Sequence, residues 1–350
     1  MDTMQYRWYS KRHPSEFSDR QLAGQRLMVG FDGTELNNDL KFLIDTLQVG
    51  GIILFSRNID TPARLQKLCT AVQAYGRQTQ MPPLFIAVDQ EGGTVARLRE
   101  PFTQFAGAAA MRDEQDVERF ARVTADELSG VGINMNMAPV LDIAPADIQS
   151  IMAERSFGAD PDRVSKMGVR IIDHLQQKRI MAVAKHFPGI GRTTLDSHID
   201  LPRLNIDLAM MKTSDLAPFR AAIAHNVAGI MLSHIFYENI DPAWPASLSP
   251  VIARNLLREE MEYSGMVVTD DLDMGAIKKH YDIQTVTRQI LEADIDLALI
   301  CHKGPDIEAA WEEILKQMTD SHNMKTRAIT SVERILKLKQ RYIQRSMPAD

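Results

Sequence analysis

Eight short, nearly all-apolar runs divide this chain at roughly regular intervals, and they limit its fold more than any other feature. They occupy residues 27–29, 51–55, 84–88, 133–137, 181–184, 228–232, 266–269 and 297–300. Runs this short, with little polar alternation, fit parallel strands covered on both faces. Longer amphipathic segments lie between most of them. Thr61-Pro62 opens one with a cap residue and a proline in the first turn. Residues 161–178 form another, with Val164, Met167, Val169, Ile171, Ile172 and Leu175 on its apolar stripe. Residues 256–261, 286–291, 307–318 and 329–343 repeat the helical spacing.

Eight strands alternating with helices predict a (β/α)8 TIM barrel of the α/β class. The expected organisation is a single barrel domain over 1–350, with residues 1–20 as an N-terminal extension and a helix within 321–350 packed on the barrel. A doubly wound open sheet is the alternative, but no glycine-rich phosphate fingerprint follows the first run.

Polar residues gather where these strands would end. The third run leads into Asp89-Gln90-Glu91-Gly92-Gly93 and Arg97, and the fourth into Asn136, Pro139 and Asp142. The fifth meets Lys185-His186, the sixth Ser233-His234, the seventh Thr269-Asp270-Asp271 and the eighth His302. In a parallel barrel those ends share one rim, where active sites are built.

The densest cluster runs from Lys185 to His198. It reads Lys185-His186-Phe187-Pro188-Gly189-Ile190-Gly191, four further residues, then Asp196-Ser197-His198. Pro188 and the Gly-Ile-Gly step mark irregular backbone, which places these polar side chains on a loop. An Asp-x-His step suits a carboxylate that orients an imidazole for proton transfer.

This cluster resembles the K-H-F-P-G-H-G…D-S-H pattern of glycoside hydrolase family 3, in particular the β-N-acetylglucosaminidases that recycle bacterial peptidoglycan. Ile190 stands where that pattern has a histidine. The resemblance extends to Val88-Asp89-Gln90-Glu91-Gly92-Gly93 with Arg97, and to Arg155-Ser156-Phe157-Gly158. It also covers Met231-Leu232-Ser233-His234 with Asp241-Pro242 and Pro245-Ala246-Ser247, and Val267-Val268-Thr269-Asp270-Asp271. It implies a retaining reaction, with Asp270 as nucleophile, His198 as acid/base and Asp196 as its partner. It further implies that Asp89, Arg97, Arg155, Lys185 and His186 bind the sugar. The implied substrate is terminal β-linked N-acetylglucosamine on a disaccharide or muropeptide such as an N-acetylglucosaminyl-1,6-anhydromuramyl fragment. No cofactor or metal is implied.

Each of these residues also has a plainer reading. A strand-end aspartate is often a cap or turn residue, which suits Asp271 or Asp273. His186 could brace the loop, and His234 could line a pocket or cap its strand. Trp244, among prolines, reads as loop packing or as a sugar platform. His302, with His13, His174, His225, His280 and His322, reads as surface. Four rival functions remain: a β-glucosidase, a β-N-acetylglucosaminide phosphorylase, an inactive sugar-binding barrel, and a metal hydrolase using His186, Asp196, His198 and Asp200. The metal hydrolase lacks the usual His-x-His or His-Glu-x-x-His spacing.

Composition narrows the setting. The net charge of -6, from 40 basic and 46 acidic residues, argues against a nucleic-acid surface. No stretch approaches the ~20 apolar residues of a membrane span, and residues 1–8 have no uninterrupted apolar run of a secretory signal. Two cysteines, Cys69 and Cys301, form no disulfide framework and read as reduced core residues. The expectation is a cytoplasmic monomer.

Overall fold

The computed structural model describes residues 13–343. Residues 1–12 and 344–350, part of the expected N-terminal extension and C-terminal segment, lie outside the described residues. All eight apolar runs form strands: β1 Leu27–Val29, β2 Gly51–Leu54, β3 Phe85–Val88, β4 Met135–Asn136, β5 Met181–Phe187, β6 Gly229–Leu232, β7 Met266–Asp271 and β8 Leu297–Ile300. They close a barrel in which each strand pairs in parallel with its neighbours in sequence, and β8 pairs with β1. This is the predicted (β/α)8 TIM barrel, not the open sheet.

The covering helices are α1 Asp19–Gln25, α2 Asn38–Asp45, α3 Pro62–Gln78, α4 Glu114–Gly130, α5 Pro161–Gln177, α6 Leu208–Thr213, α7 Ala217–Ala224, α8 Gly275–Lys278, α9 Ile283–Glu292, α10 Pro305–Asp320 and α11 His322–Tyr342. A π-helical segment, Val251–Glu260, packs between β6 and β7 in the chain. It takes the place of the helix expected over 256–261 and starts earlier, just after Pro250. Thr61 caps α3 by accepting from the Arg64 N–H, with Pro62 in the first turn. Helix α4 stood out less in the sequence because Ala121, Thr124 and Ala125 occupy half of its buried face, beside Val117, Phe120 and Leu128.

Strand parity sorts the side chains. Met28, Ile53, Phe85, Met181, Met266 and Leu297 point into the barrel and form its interior cluster. Their neighbours Val29, Ile52, Ile86, Ala182, Val267 and Ala298 face the helices and join the outer core. Methionines fill much of the interior, as unbranched, polarizable side chains can in an irregular space. Ile335 and Tyr342 of α11 pack into the same cluster, and Lys339 lies 4.9 Å over the Phe85 ring. Helix α11 therefore packs across the end of the barrel where the strands begin.

Asp296, immediately before β8, organises that end. It is fully buried and accepts from Arg258 of the π-helical segment at 2.7 Å and from Arg334 of α11 at 2.8 Å. It also accepts from the Val267 N–H at 2.8 Å. Burial opposes its charge, but the two guanidiniums and the N–H outweigh burial and hold the carboxyl below its ordinary value. Asp296→Ala leaves Arg258 and Arg334 with Asp294 alone and the Val267 N–H without its acceptor, and should lower unfolding free energy by about 3 kcal/mol, read by denaturant titration at neutral pH.

Candidate active site

The parity that fills the barrel also builds its rim. Phase continues along β3 from Phe85 and Ala87 to Asp89, along β5 from Met181 and Val183 to Lys185, and along β7 from Met266 and Val268 to Asp270. Ile53, Met231 and Leu299 form an apolar floor, and Asp89, Lys185 and Asp270 stand above it around a cavity of about 180 Å³. That volume equals about six waters at liquid density, the scale of a single sugar ring. All eight residues expected at the site line this one cavity: Asp89, Arg97, Arg155, Lys185, His186, Asp196, His198 and Asp270.

Two of them are not on a loop as expected. Strand β5 continues through Lys185, His186 and Phe187 and breaks only afterwards, at Pro188 and Gly189. Pairing partners allow such polar residues to stay on a buried strand. Lys185 Nζ lies 2.7 Å from both Asp89 Oδ1 and Glu91 Oε1. Arg155 grips Glu91 in a fork, Nε to Oε2 at 2.9 Å and Nη2 to Oε1 at 2.7 Å. Arg97 Nη2 approaches Asp89 Oδ2 at 3.5 Å. Burial raises both carboxyls, but Lys185, joined by Arg97 at Asp89 and by Arg155 at Glu91, outweighs it and holds both below their usual values.

His186 is similarly fixed. Its Nδ1 lies 2.7 Å from Asp142 Oδ2, and Asp142 Oδ1 accepts the N–H groups of His186 and Ile190. Nδ1–H donates to this carboxylate, which leaves Nε2 as the nitrogen available to the cavity. The register of β5 against β6 shifts between Ala184 and Phe187, and both Lys185 and His186 face the site. A second shift, between Val268 and Asp271 of β7, accompanies Asp270 and Asp271 on the same wall.

Asp270 accepts the Asp271 N–H at 2.8 Å. Burial works against its charge, but His186, that N–H and Lys185 prevail and hold its carboxyl below the ordinary value. Asp271 is the contrast: burial pushes it up to about 6, although it accepts the Asp273 and Cys301 N–H groups. Two adjacent carboxyls thus differ in charge propensity, and Asp270 is the one that keeps its charge to lower pH. Asp273 is a turn residue, accepting the His302 N–H at 2.9 Å and pairing with Lys278 at 2.8 Å. It also belongs, with Asp271 and His302, to the metal-like His/Asp grouping among the described residues.

His198 and Asp196 stand at the mouth. Asp196 Oδ1 accepts both the backbone N–H of His198 at 2.9 Å and its ring Nδ1 at 2.8 Å. Nε2 is therefore the free nitrogen. Burial opposes the charge on Asp196, and the two His198 hydrogen bonds overcome it and lower its pKa. The base of this loop is pinned: Tyr237 Oη donates to the Gly189 carbonyl at 2.8 Å, and Ile190, buried, lines the cavity.

Other expectations resolve as follows. His234 braces the turn after the aspartates, bonded to Ser247 Oγ at 2.7 Å and to the Asp271 carbonyl at 2.8 Å. Trp244 packs on Tyr281 with ring centroids 5.5 Å apart. In the metal reading, His186 is committed to Asp142, and Asp200 pairs with His280 at 2.6 Å. Cys69 and Cys301 are buried and free. Sequence reasoning gave no role to Glu91 or Asp142. Both lay in marked strand-end motifs, but the pairing that makes them matter spans residues far apart in the chain.

A parallel barrel whose rim holds an ionised carboxylate, an oriented imidazole and paired cations around a sugar-sized cavity defines a hydrolase of small carbohydrates by its site chemistry. The chain belongs to glycosyl hydrolase family 3: the family's N-terminal domain matches residues 20–338. It is 35% identical over 297 residues to a β-hexosaminidase of Alkalilimnicola ehrlichii, covering 82% of this chain and 84% of that one. A β-hexosaminidase of Pseudomonas aeruginosa is 33% identical over 288 residues, with 81% and 84% covered. Among solved structures, a family 3 β-N-acetylglucosaminidase from Paenibacillus sp. str. FPU-7 superposes with a TM-score of 0.90 at 36% identity, over 95% of this chain. This chain spans 64% of that protein's length. A β-N-acetylhexosaminidase from Beutenbergia cavernae superposes at 0.86 and 26% identity, with 93% of this chain and 99% of that one covered.

Glu91 is the charge shared by Lys185 and Arg155. Glu91→Gln should raise KM at least tenfold and lower stability by about 3 kcal/mol at neutral pH. Because the folded pKa of Glu91 is depressed, its contribution is present above the unfolded value of about 4.3 and is lost as pH falls through the folded value. The stability gap between wild type and variant should therefore narrow below about pH 4, read by denaturant titration across pH.

Proposed function

We propose that the protein is a retaining exo-β-N-acetylglucosaminidase. The observation that carries this reading is the convergence on one small cavity of Asp270, held ionised, with the Asp196-oriented Nε2 of His198. Asp270 attacks the anomeric carbon while His198 protonates the departing oxygen, giving a glycosyl-aspartate. His198 then takes a proton from water, which opens that ester. Asp89 accepts hydrogen bonds from sugar hydroxyls, and Lys185, Arg97 and Arg155 donate them. The Nε2 of His186 completes the ring of polar groups. A cavity the size of one sugar supports action at chain ends.

The substrate we infer is terminal N-acetylglucosamine on a muropeptide or disaccharide, as in cell-wall recycling. The support is the motif resemblance and the β-hexosaminidase names of the relatives. Two buried free thiols suit a reducing, cytoplasmic setting, and no described helix is long and apolar enough to cross a membrane. We take the working unit to be the single barrel acting as a monomer.

The test is release of nitrophenol from the aryl β-N-acetylglucosaminide, beside the β-glucoside and with or without phosphate. Preference for the N-acetyl sugar, with free N-acetylglucosamine as product in phosphate, supports the reading. Glucoside preference or a sugar 1-phosphate product overturns the substrate or the acceptor. Asp270→Ala should abolish turnover of every substrate. His198→Ala should cost about 10²- to 10⁴-fold in kcat/KM on a disaccharide and far less in kcat/KM on the nitrophenyl glycoside, whose leaving group needs little protonation.

A further inference from the structure

The turn that carries His198 is seated on the segment that follows Asp270. Ala276 N–H donates to the Ser197 carbonyl at 3.0 Å, Lys279 Nζ donates to the Ile199 carbonyl at 2.6 Å, and His280 Nε2 meets Asp200 Oδ1 at 2.6 Å. Residues 275–280 thus hold both sides of His198, while its side chain reaches the cavity. The contact leaves no room at its centre. A Cβ on Gly275 would stand 2.6 Å from the His198 carbonyl oxygen and 2.8 Å from that of Ile199. Both obstacles are backbone, so no rotamer change relieves them. No positive φ calls for glycine here; the requirement is space alone.

We propose that Gly275 is a positioning residue for the acid/base: its bare Cα lets the 196–200 turn seat, and that seating sets the height of His198 Nε2 above Asp270. The inference rests on the roles given to His198 and Asp270 above. One short stretch, 270–280, then carries the nucleophile at one end and the seat of the proton donor at the other. The separation between attacking oxygen and donated proton is fixed within it. A displacement of about 1 Å at a reacting group is enough to cost on the order of 10²-fold.

Gly275→Ala should lift the turn and weaken proton donation without touching substrate. The experiment measures kcat/KM, which reports the glycosylation step, on diacetylchitobiose and on the nitrophenyl glycoside. The variants are Gly275→Ala, His198→Ala, and the two combined. The expected result is a loss of about tenfold or more on the disaccharide and less than about threefold on the aryl substrate. In the His198→Ala background, adding Gly275→Ala should change neither value, because its effect passes through an imidazole already removed. Equal losses on both substrates, or a further loss in the His198→Ala background, would overturn the proposal.

Lys279→Met with His280→Leu gives a second route that inserts nothing into the contact, so it applies even where Gly275→Ala fails to fold. It removes two anchors and should show the same disaccharide-selective pattern at a few-fold. Unchanged disaccharide turnover in that variant would overturn the seat. If His198→Ala itself hits both substrates alike, the acid/base assignment fails instead, and the two failures are told apart.

Discussion

Closure of the parallel barrel is the constraint on which the rest of this structure depends. Closing the sheet removes its edges and turns the C-terminal end of every strand toward one rim. Because side chains alternate along a strand, the phase that fills the interior with Met181, Val183, Met266 and Val268 necessarily brings Lys185 and Asp270 to the inner face of the rim. The apolar core and the polar site are successive layers of one pattern. A one-residue slip in β5 or β7 would exchange them.

Above the floor, electrostatics replaces packing. Lys185 shares its charge between Asp89 and Glu91, and Arg155 forks onto Glu91. These groups are therefore oriented before any sugar arrives, and their reorganisation on binding is small. Asp142 does the same for His186, and Asp196 for His198. The two imidazoles differ in setting: His186 is buried on a strand, while the His198 side chain is 69% exposed. That contrast suits a fixed binding group and a proton carrier in contact with water.

Much of this was legible in the sequence. Strands buried on both faces must be apolar, so all eight runs appeared directly, and strand-end polarity marked the rim. What was hidden is what depends on partners. Lys185 and His186 read as loop residues because a polar pair usually ends a strand, yet Asp89, Glu91 and Asp142 make their burial affordable. Glu91 and Asp142 carried no local sign of their pairing, which joins Glu91 to Arg155 across 64 positions and Asp142 to His186 across 44. Helix α4 was overlooked because alanine and threonine occupy part of its buried stripe. The register shifts in β5 and β7 also leave no mark in composition, although they accompany pairs of consecutive site residues on one wall.

The central claim is that Asp270 forms a covalent bond to the sugar. It is tested most directly by mass spectrometry of protein quenched during turnover of a fluorinated N-acetylglucosaminyl fluoride, whose electron-poor ring slows release of the intermediate. The account predicts a mass gain of one glycosyl unit, mapped by fragmentation to Asp270 and lost on standing with an acceptor. Turnover without any adduct, or an adduct on Asp271 or Asp273 instead, would contradict it.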